Sequence, residues 1–425
     1  MGNNKLKYLL YRSPNLKENE LENIGQDAVQ DIESIMDDVR SDGSAEEPLP
    51  GEVNPETSFE LDEEPETPEK REKKHFTSTL LYKTGIKVAA FLLATAMLCL
   101  VGGLCVEYVL VKGPSDTLSR EFVLTMLETR RFGFMAGIFL TDEELAAAQA
   151  VHYQVYEEST DASLITVQAP EETDAAEAPV PDGTVPGADA YGIVDEDGDG
   201  IVIEELHRNG YTGYMMIVYD PFRVQVALTD IYGEVGQNLS TLCRRTNAVA
   251  GINAGGFADE NGVGLGGMPL GLTVVNGTYY NTDADPAYFI GFDGAGILHV
   301  GYYSVNDVYN LNIVNGVTFG PTLVVNGEAR SAEALSSGLN PRTAIGQRAD
   351  GAVLMLVIDG RQVHSFGATY LDLAETMVEY GAVNAANLDG GSSSGMWFDG
   401  EMVNSGSAYG GDRSLPTAFV VRREG

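Results

Sequence analysis

Residues 88–106 read VAAFLLATAMLCLVGGLCV, nineteen positions without a charge, and YVLV carries the run to residue 111 after the single acid Glu107. At about 1.5 Å per residue, a helix of that length matches the ~30 Å hydrocarbon core of a bilayer. The run lies some ninety residues into the chain and lacks the small-residue cleavage pattern of a removable leader. A transmembrane helix over 86–111 is therefore expected, ahead of a helix buried in a soluble core. Before it stand Lys70, Arg71, Lys73, Lys74, Lys83 and Lys87 against one acid, Glu72, while the far flank is nearly balanced. Positive charge stays on the cytoplasmic side, so the N-terminus is expected inside and everything after residue 112 outside.

The span divides the chain. Between residues 41 and 66 there are ten acids, no Lys or Arg, and four prolines. Such a composition buries too little apolar surface to offset ordering entropy. Residues 1–85 are expected to be an acidic, mostly disordered tail, with Ile24, Val29, Ile32 and Ile35 at helical spacing over 23–39. Beyond the membrane, 112–158 reads as a helical stalk, with Val123, Met126 and Leu127 on one side and a Thr-Asp-Glu-Glu helix start at Thr141. Residues 159–190 are rich in Ala, Pro, Glu and Asp, lack basic residues, and read as a linker. A folded domain is expected over 191–425.

Cys99 and Cys105 lie in the apolar run, which leaves Cys243 alone outside it, so no disulfide can form within the exterior domain. The fold must rest on its core. An exterior domain without disulfides fits a bacterial cell surface better than a vesicular lumen.

From residue 191 onward, short β-branched and aromatic runs such as GYMMIVYD, RVQVALTD and AVLMLVIDG alternate with Gly, Asn and Asp turns. These are strand signals. VVNG occurs at 274–277 and 324–327, each reading as a hairpin closed by an Asn-Gly turn. LDLAETMVEYGAV, 371–383, reads as an amphipathic helix stopped by Gly381. The fold class that results is α+β, a mixed, mainly antiparallel sheet with packed helices.

The formal charge of −37 argues against nucleic acid or an anionic membrane surface as a partner. No lysine follows Lys112, so the fixed positive charge of the domain rests on eleven arginines. Arg342, after Asn340-Pro341, and Arg413, before the last strand, are candidates for holding an anion, because the guanidinium fork matches phosphate or carboxylate bidentately; a surface ion pair is the plainer alternative.

In DEDGDGIVIEEL, Asp195, Asp197 and Asp199 stand at positions one, three and five of an EF-hand-like loop with Gly200 at six. Position twelve is Leu206 rather than Glu, and the surroundings read as strands. Structural calcium at these three aspartates and a plain acidic turn both remain open.

NLDGGSSSG, 387–395, sets Asp389 after an apolar run, and Gly390 and Gly391 let a ligand approach the main chain. Successive N–H groups with Ser392 and Ser393 suit oxyanions. The same residues also read as a Gly/Ser loop with a capping Asp. A serine nucleophile is disfavoured, because the domain holds only His207, His299 and His364 and none has an evident pairing with the loop.

NAVAGINAGGF (247–257), VTFGPTLVVNGE (317–328), NPRTAIGQRADGAVLMLVIDGRQ (340–362), NAANLDGGSSSGMWF (384–398) and DRSLPTAFVV (412–421) together resemble the phosphodiester glycosidase family over roughly 205–425. Ala254-Gly255-Gly256-Phe257 departs from the family's usual Gly-Gly-Phe-Phe, and Ser394 stands where threonine is common. Neither change removes an ionisable group. The resemblance implies cleavage of a sugar whose anomeric carbon is joined through phosphate to another alcohol. It places Asn253, Arg342, Thr343, Asp359, Arg361, Asn387, Asp389, Gly390, Gly391, Ser392, Ser393 and Arg413 at signature positions.

The leaving phosphodiester needs less acid assistance than an ordinary glycoside. Under that resemblance Arg342 and Arg413 hold phosphate, Asp389 is base or nucleophile, Asp359 takes the second carboxylate role, and Asn253 and Asn387 orient; the two Asp roles are interchangeable at this level. Thr343, Arg361, Gly390, Gly391, Ser392 and Ser393 complete the substrate contacts. No cofactor is required for the reaction. A sugar-phosphate-binding module without turnover and an envelope scaffold are the non-catalytic alternatives.

Overall fold

A computed structural model of the chain describes residues 68–129, 133–152, 155–156, 159–167, 187–258, 264–405 and 413–423. The expected helix over 23–39, most of the acidic tail and much of the linker lie outside the described residues. By contact density the chain separates into Met1–Lys87 and Val88–Gly425.

Helix α1, Pro68–Lys112, includes Tyr82–Lys112, a 31-residue stretch long and apolar enough to cross a bilayer. Ser115 then opens α2, Asp116–Glu128, its hydroxyl accepting from the Leu118 N–H as an N-cap should. Helices α3 (Gly133–Phe139) and α4 (Asp142–His152) follow. Val111 at the end of α1, Val123 of α2 and Ala136 of α3 are buried together, and the rings of Tyr108 and Phe139 meet edge to face with centroids 5.5 Å apart. The junction between the apolar helix and the stalk is thus a packed helical cluster.

The domain proper is built of β1 (Ile201–Arg208), β2 (Tyr211–Val218), β3 (Val224–Leu228), α5 (Leu239–Arg245), β4 (Ala248–Asn253), β5 (Thr273–Val275), β6 (Thr278–Tyr280), β7 (Ala287–Asp293), β8 (Leu298–Tyr303) and α6 (Val305–Asn310). The second half adds β9 (Ile313–Thr318), β10 (Thr322–Val325), β11 (Glu328–Ala329), β12 (Arg342–Arg348), β13 (Val353–Ile358), α7 (Tyr370–Glu379), β14 (Ala382–Leu388), β15 (Met396–Phe398), β16 (Glu401–Met402) and β17 (Thr417–Arg422). Three sheets result, ordered β1-β2-β13-β12-β14-β10-β11, β16-β15-β4-β17-β3 and β6-β5-β9-β7-β8. The class is α+β, and the pairings between these strands are antiparallel.

The large sheet is covered on both faces, which explains why β13 reads VLMLVI without a polar residue. Side chains alternate across a strand. Val353, Met355 and Val357 pack with Ile252 and Phe419 of the second sheet and Ile290 and Phe292 of the third, whereas Leu354, Leu356 and Ile358 pack under Leu373, Ala374 and Met377 of α7. Helix α7 begins with a capping box between Thr369 and Asp372 and ends before Gly381, whose φ is +84°. Both Asn-Gly pairs are two-residue turns with positive φ at both positions, at Asn276/Gly277 and Asn326/Gly327, joining β5 to β6 and β10 to β11.

Candidate active site

The antiparallel register gathers the signature residues at one end of two sheets. Arg342 opens β12 opposite Ile358, the last residue of β13, so Asp359 emerges beside it. Thr343 lies opposite Leu388, the last residue of β14, so the Asp389 loop emerges at the same edge. Asn253 ends β4 in the neighbouring sheet, opposite Ala418 of β17.

These residues form two layers. Asn253, Thr343, Asn387, Asp359 and Arg342 are buried. Asp389, Gly390, Gly391, Ser392, Arg361 and Arg413 are half-exposed, with Ser393 just beneath them.

The buried layer holds the loop in place. The Asn253 amide donates to the Asp389 carbonyl at 2.6 Å, and its oxygen accepts from the Thr343 hydroxyl at 2.7 Å and the Gly395 N–H at 3.1 Å. The Asn387 amide donates to the Gly320 carbonyl at 2.9 Å. Asp359, 1% exposed, accepts from Asn404 Nδ2 at 2.8 Å on one oxygen and from the Ser405 N–H at 3.1 Å on the other. Its carboxylate thereby fixes the segment after β16. In the sequence Asn404 carries no signal, as one Asn between Val403 and Ser405.

The surface layer brings two arginines to the loop that carries Asp389. Asp389 accepts the Gly390 N–H at 3.0 Å and donates its own N–H to the Ala254 carbonyl. Arg413 donates to the Ser392 hydroxyl at 2.6 Å and stacks over the Phe257 ring, 4.9 Å from its centroid. Arg361 also reaches the loop, with a left-handed backbone at φ +59°, uncommon for a residue with a side chain. Its guanidinium lies so close to Gly391 that a Cβ there would be 3.4 Å from Nη2. It donates to Asn340 Oδ1 at 2.8 Å, while its buried Nε has no partner among the described residues. Burial, and then the charge of Arg342, push the Arg361 guanidinium down from the usual arginine range, opposed by Glu128. An anion beside it would relieve both effects.

The guanidinium of Arg342 has a different occupation. Its Nη2 meets Glu128 Oε2, from the end of α2, at 2.6 Å and the Gly338 carbonyl at 2.7 Å; its Nε donates to the Ala368 carbonyl, and its plane lies 4.1 Å from the Tyr370 ring centroid. Glu128 also accepts from Asn340 Nδ2 at 2.7 Å and from the Gly338 N–H at 2.9 Å, and Thr125 accepts the Leu339 N–H. A Cβ on Gly338 would lie 2.2 Å from the Thr125 nitrogen, so glycine is what lets α2 seat there. Burial works to lower the Arg342 pKa, but Glu128 and Tyr370 outweigh it and the net shift is upward. Glu128 had no signal in the sequence, because its partner is 214 residues away.

Asp195, Asp197 and Asp199 stand apart from this site, in the turn before β1, with carboxylate oxygens within 4.8 Å of one another. Asp195 accepts the Gly198 and Gly200 N–H groups, and Asp199 accepts that of Ile201. Burial, then the negative charges of Asp197 and Asp195, push Asp199 up. Hard carboxylate oxygens suit calcium. Leu206, at the twelfth position, is buried inside β1, so no carboxylate closes the loop from there.

Residues 246–422 match the sequence model of the phosphodiester glycosidases. The SPbeta prophage-derived uncharacterized protein YomE of Bacillus subtilis (strain 168) is 30% identical over 181 residues, 40% of this chain and 27% of that protein. The chain thus spans about a quarter of the length of that relative. Among solved structures, the catalytic domain of zebrafish N-acetylglucosamine-1-phosphodiester alpha-N-acetylglucosaminidase, auto-inhibited by its pro-peptide, is similar at 19% identity and a TM-score of 0.45, covering 53% of this chain and 82% of that one. A hypothetical protein from Synechocystis is similar at 17% identity and a TM-score of 0.37, covering 52% and 62%. The motifs, the edge at which they converge and the matched span agree, and residues 246–422 carry the phosphodiester glycosidase family domain.

Proposed function

We propose that this chain is a membrane-anchored hydrolase that cleaves the glycosidic bond of a sugar-1-phosphodiester in a bacterial surface glycan or exopolysaccharide. Its N-terminus is cytoplasmic and its domain faces outward. The observation that carries the reading is the half-exposed Asp389 on a Gly/Ser loop that Arg361 and Arg413 both reach. Asp389 acts at the anomeric carbon as base or nucleophile, and Arg361 and Arg413 hold the departing phosphate, whose negative charge grows as the bond breaks. Asn253, Thr343 and Asn387 keep the loop in position. Asp359 acts through Asn404 and Ser405, and Arg342 through the seat of α2. The reaction needs no cofactor, and the aspartates at 195, 197 and 199 serve a structural cation. Asp389→Asn preserves size and most hydrogen bonds but removes the base. Turnover of a soluble sugar-1-phosphodiester by the purified full-length protein should fall by roughly 10²–10⁴. Undiminished turnover in the variant would remove Asp389 from this role, and ligand retention without turnover by the wild type would favour a binding module.

A further inference from the structure

Helix α2 is both the seat for Arg342 and the connection to the apolar helix. Beyond the uncharged run ending at residue 106, α1 continues for six residues, three residues turn, and the 13-residue α2 delivers Glu128 to Arg342, Asn340 and Gly338. At 1.5 Å per helical residue and about 3.5 Å per extended one, this path is at most ~40 Å long. Val111, Val123 and Ala136 pack together, and the Ser119 hydroxyl donates to the Val111 carbonyl, so the path is not a loose tether. With α1 in a bilayer, Asp389 works within about one bilayer thickness of the membrane surface.

The segments that bring the two arginines to the site expose apolar side chains. The loop bearing Arg361 exposes Val363 (95%) and Phe366 (61%). The segment bearing Leu265, Met268 and Leu270, all exposed, is held against the residue after Arg413, where a Cβ on Gly266 would lie 2.3 Å from the Ser414 carbonyl oxygen. Leu270 also donates its N–H to the Gly256 carbonyl, beside the Phe257 ring that Arg413 covers. Exposed apolar side chains around a pair of arginines suit a ligand that is anionic at one point and greasy beyond it.

Building on the phosphodiester glycosidase reading, we infer that the substrate is a lipid-linked sugar phosphate, a glycosyl 1-phosphate whose second ester is a long-chain alcohol held in the same membrane. Water adds through its oxygen to the anomeric carbon and gives its proton to Asp389. The bond from that carbon to the phosphate oxygen breaks, and the electron pair stays on the oxygen. The products are the free sugar and the lipid monophosphate. Arg361 and Arg413 hold the phosphate, and Val363 and Phe366 meet the chain of the alcohol beyond its first carbon.

The test uses the full-length protein in phosphatidylcholine vesicles and two diesters of one sugar 1-phosphate, the long-chain ester in the vesicles and the methyl ester in solution. With lipid and protein in the same vesicles, the long-chain diester should be cut on the order of tenfold more efficiently than the methyl diester, because sharing a surface raises the local concentration. Placing the long-chain diester in separate vesicles should abolish that advantage. Val363→Ser and Phe366→Ser should lower turnover of the long-chain diester and leave that of the methyl diester unchanged. Equal efficiency on both diesters, or equal loss on both in these variants, overturns the lipid assignment while leaving the glycosidase reading in place. Failure to cut either diester removes both.

Discussion

Arg361 and Arg342 lie side by side, yet substitution should separate their functions. The Arg342 guanidinium is buried against Glu128 and Gly338, so Arg342→Lys, which keeps the charge but loses the fork, should appear first as lost stability. Breaking such a buried pair outright costs about 3–5 kcal/mol. The Arg361 guanidinium lies at the half-exposed surface over Gly391, and Arg361→Lys should leave the melting temperature nearly unchanged, raise KM and lower kcat for a sugar phosphodiester. Gly391→Ala tests the same geometry from the loop. Its φ of +65° disfavours a Cβ by about 1–2 kcal/mol, and relieving that strain would shift the loop against Arg361, which the new methyl would touch. A displacement of about 1 Å in such a site costs on the order of 10² in rate, so activity should fall far more than stability. Kinetics of both variants beside thermal melts decide the matter: a melting loss with normal KM in Arg361→Lys would show that Arg361 is structural.

At the scale of elements, local chemistry was legible and distant pairing was not. Asn276-Gly277 and Asn326-Gly327 announce their hairpins because few other residues accept positive φ at two successive positions. The Thr369 to Asp372 box and Gly381 bracket α7, and the continuous apolar run of β13 records burial on both faces. The candidate site was legible through family motifs that sit at strand ends. The contacts assigning work to its members were hidden: Glu128 on Arg342, Asn404 on Asp359 and Arg361 over Gly391 each join segments whose order in sequence says nothing of their distance. The turn before β1 is an intermediate case, because its Asp spacing is local but its twelfth position belongs to a strand. A site with three carboxylates and no closing Glu should bind calcium weakly, near the ~10⁻⁴–10⁻³ M of extracellular modules. Calcium at a few times that concentration should raise the melting temperature, by about RT ln(1 + [L]/Kd) in free energy, and Asp197→Asn should abolish the rise. A melting temperature indifferent to both calcium and chelator would leave the turn as a hydrogen-bonded loop.

For the whole molecule, acid should be the stress that separates folding from chemistry. Arg348 ends β12, at the opposite end of that strand from Arg342, and its side chain is fully buried. It pairs with Asp189 at 2.9 Å and with the more exposed Asp350 at 3.0 Å, and lies over the rings of Tyr191 and Tyr219. The segment before β1 is thus fastened to the large sheet. Burial works to raise the Asp189 pKa, but the Ile193 and Tyr191 N–H groups and Arg348 outweigh it, and the net shift is downward. Asp293 is lowered too, burial being outweighed by His299 and the Ile297 and Ala295 N–H groups. A carboxylate with a depressed folded-state pKa contributes stability above its unfolded value, and loses it as pH falls through the folded value. Glu121 goes the other way. Burial, then Asp372, raise its pKa, so its protonation favours the folded state as pH drops toward the ordinary carboxylate range. With a formal charge of −37, mild acid also relieves self-repulsion. Stability of the full-length protein in detergent, with chelator present, should therefore hold or rise from pH 7 to about 5 and fall below about 4. Asp189→Asn should lower the neutral plateau and flatten the acid limb, because the charge that protonation removes is already gone. A variant that keeps the wild-type acid limb would show that the Arg348 fastening does not set it. Since Asp189 and Arg348 lie away from the edge that carries Asp389, that variant should change the melting profile while leaving the pH profile of kcat where the wild type has it.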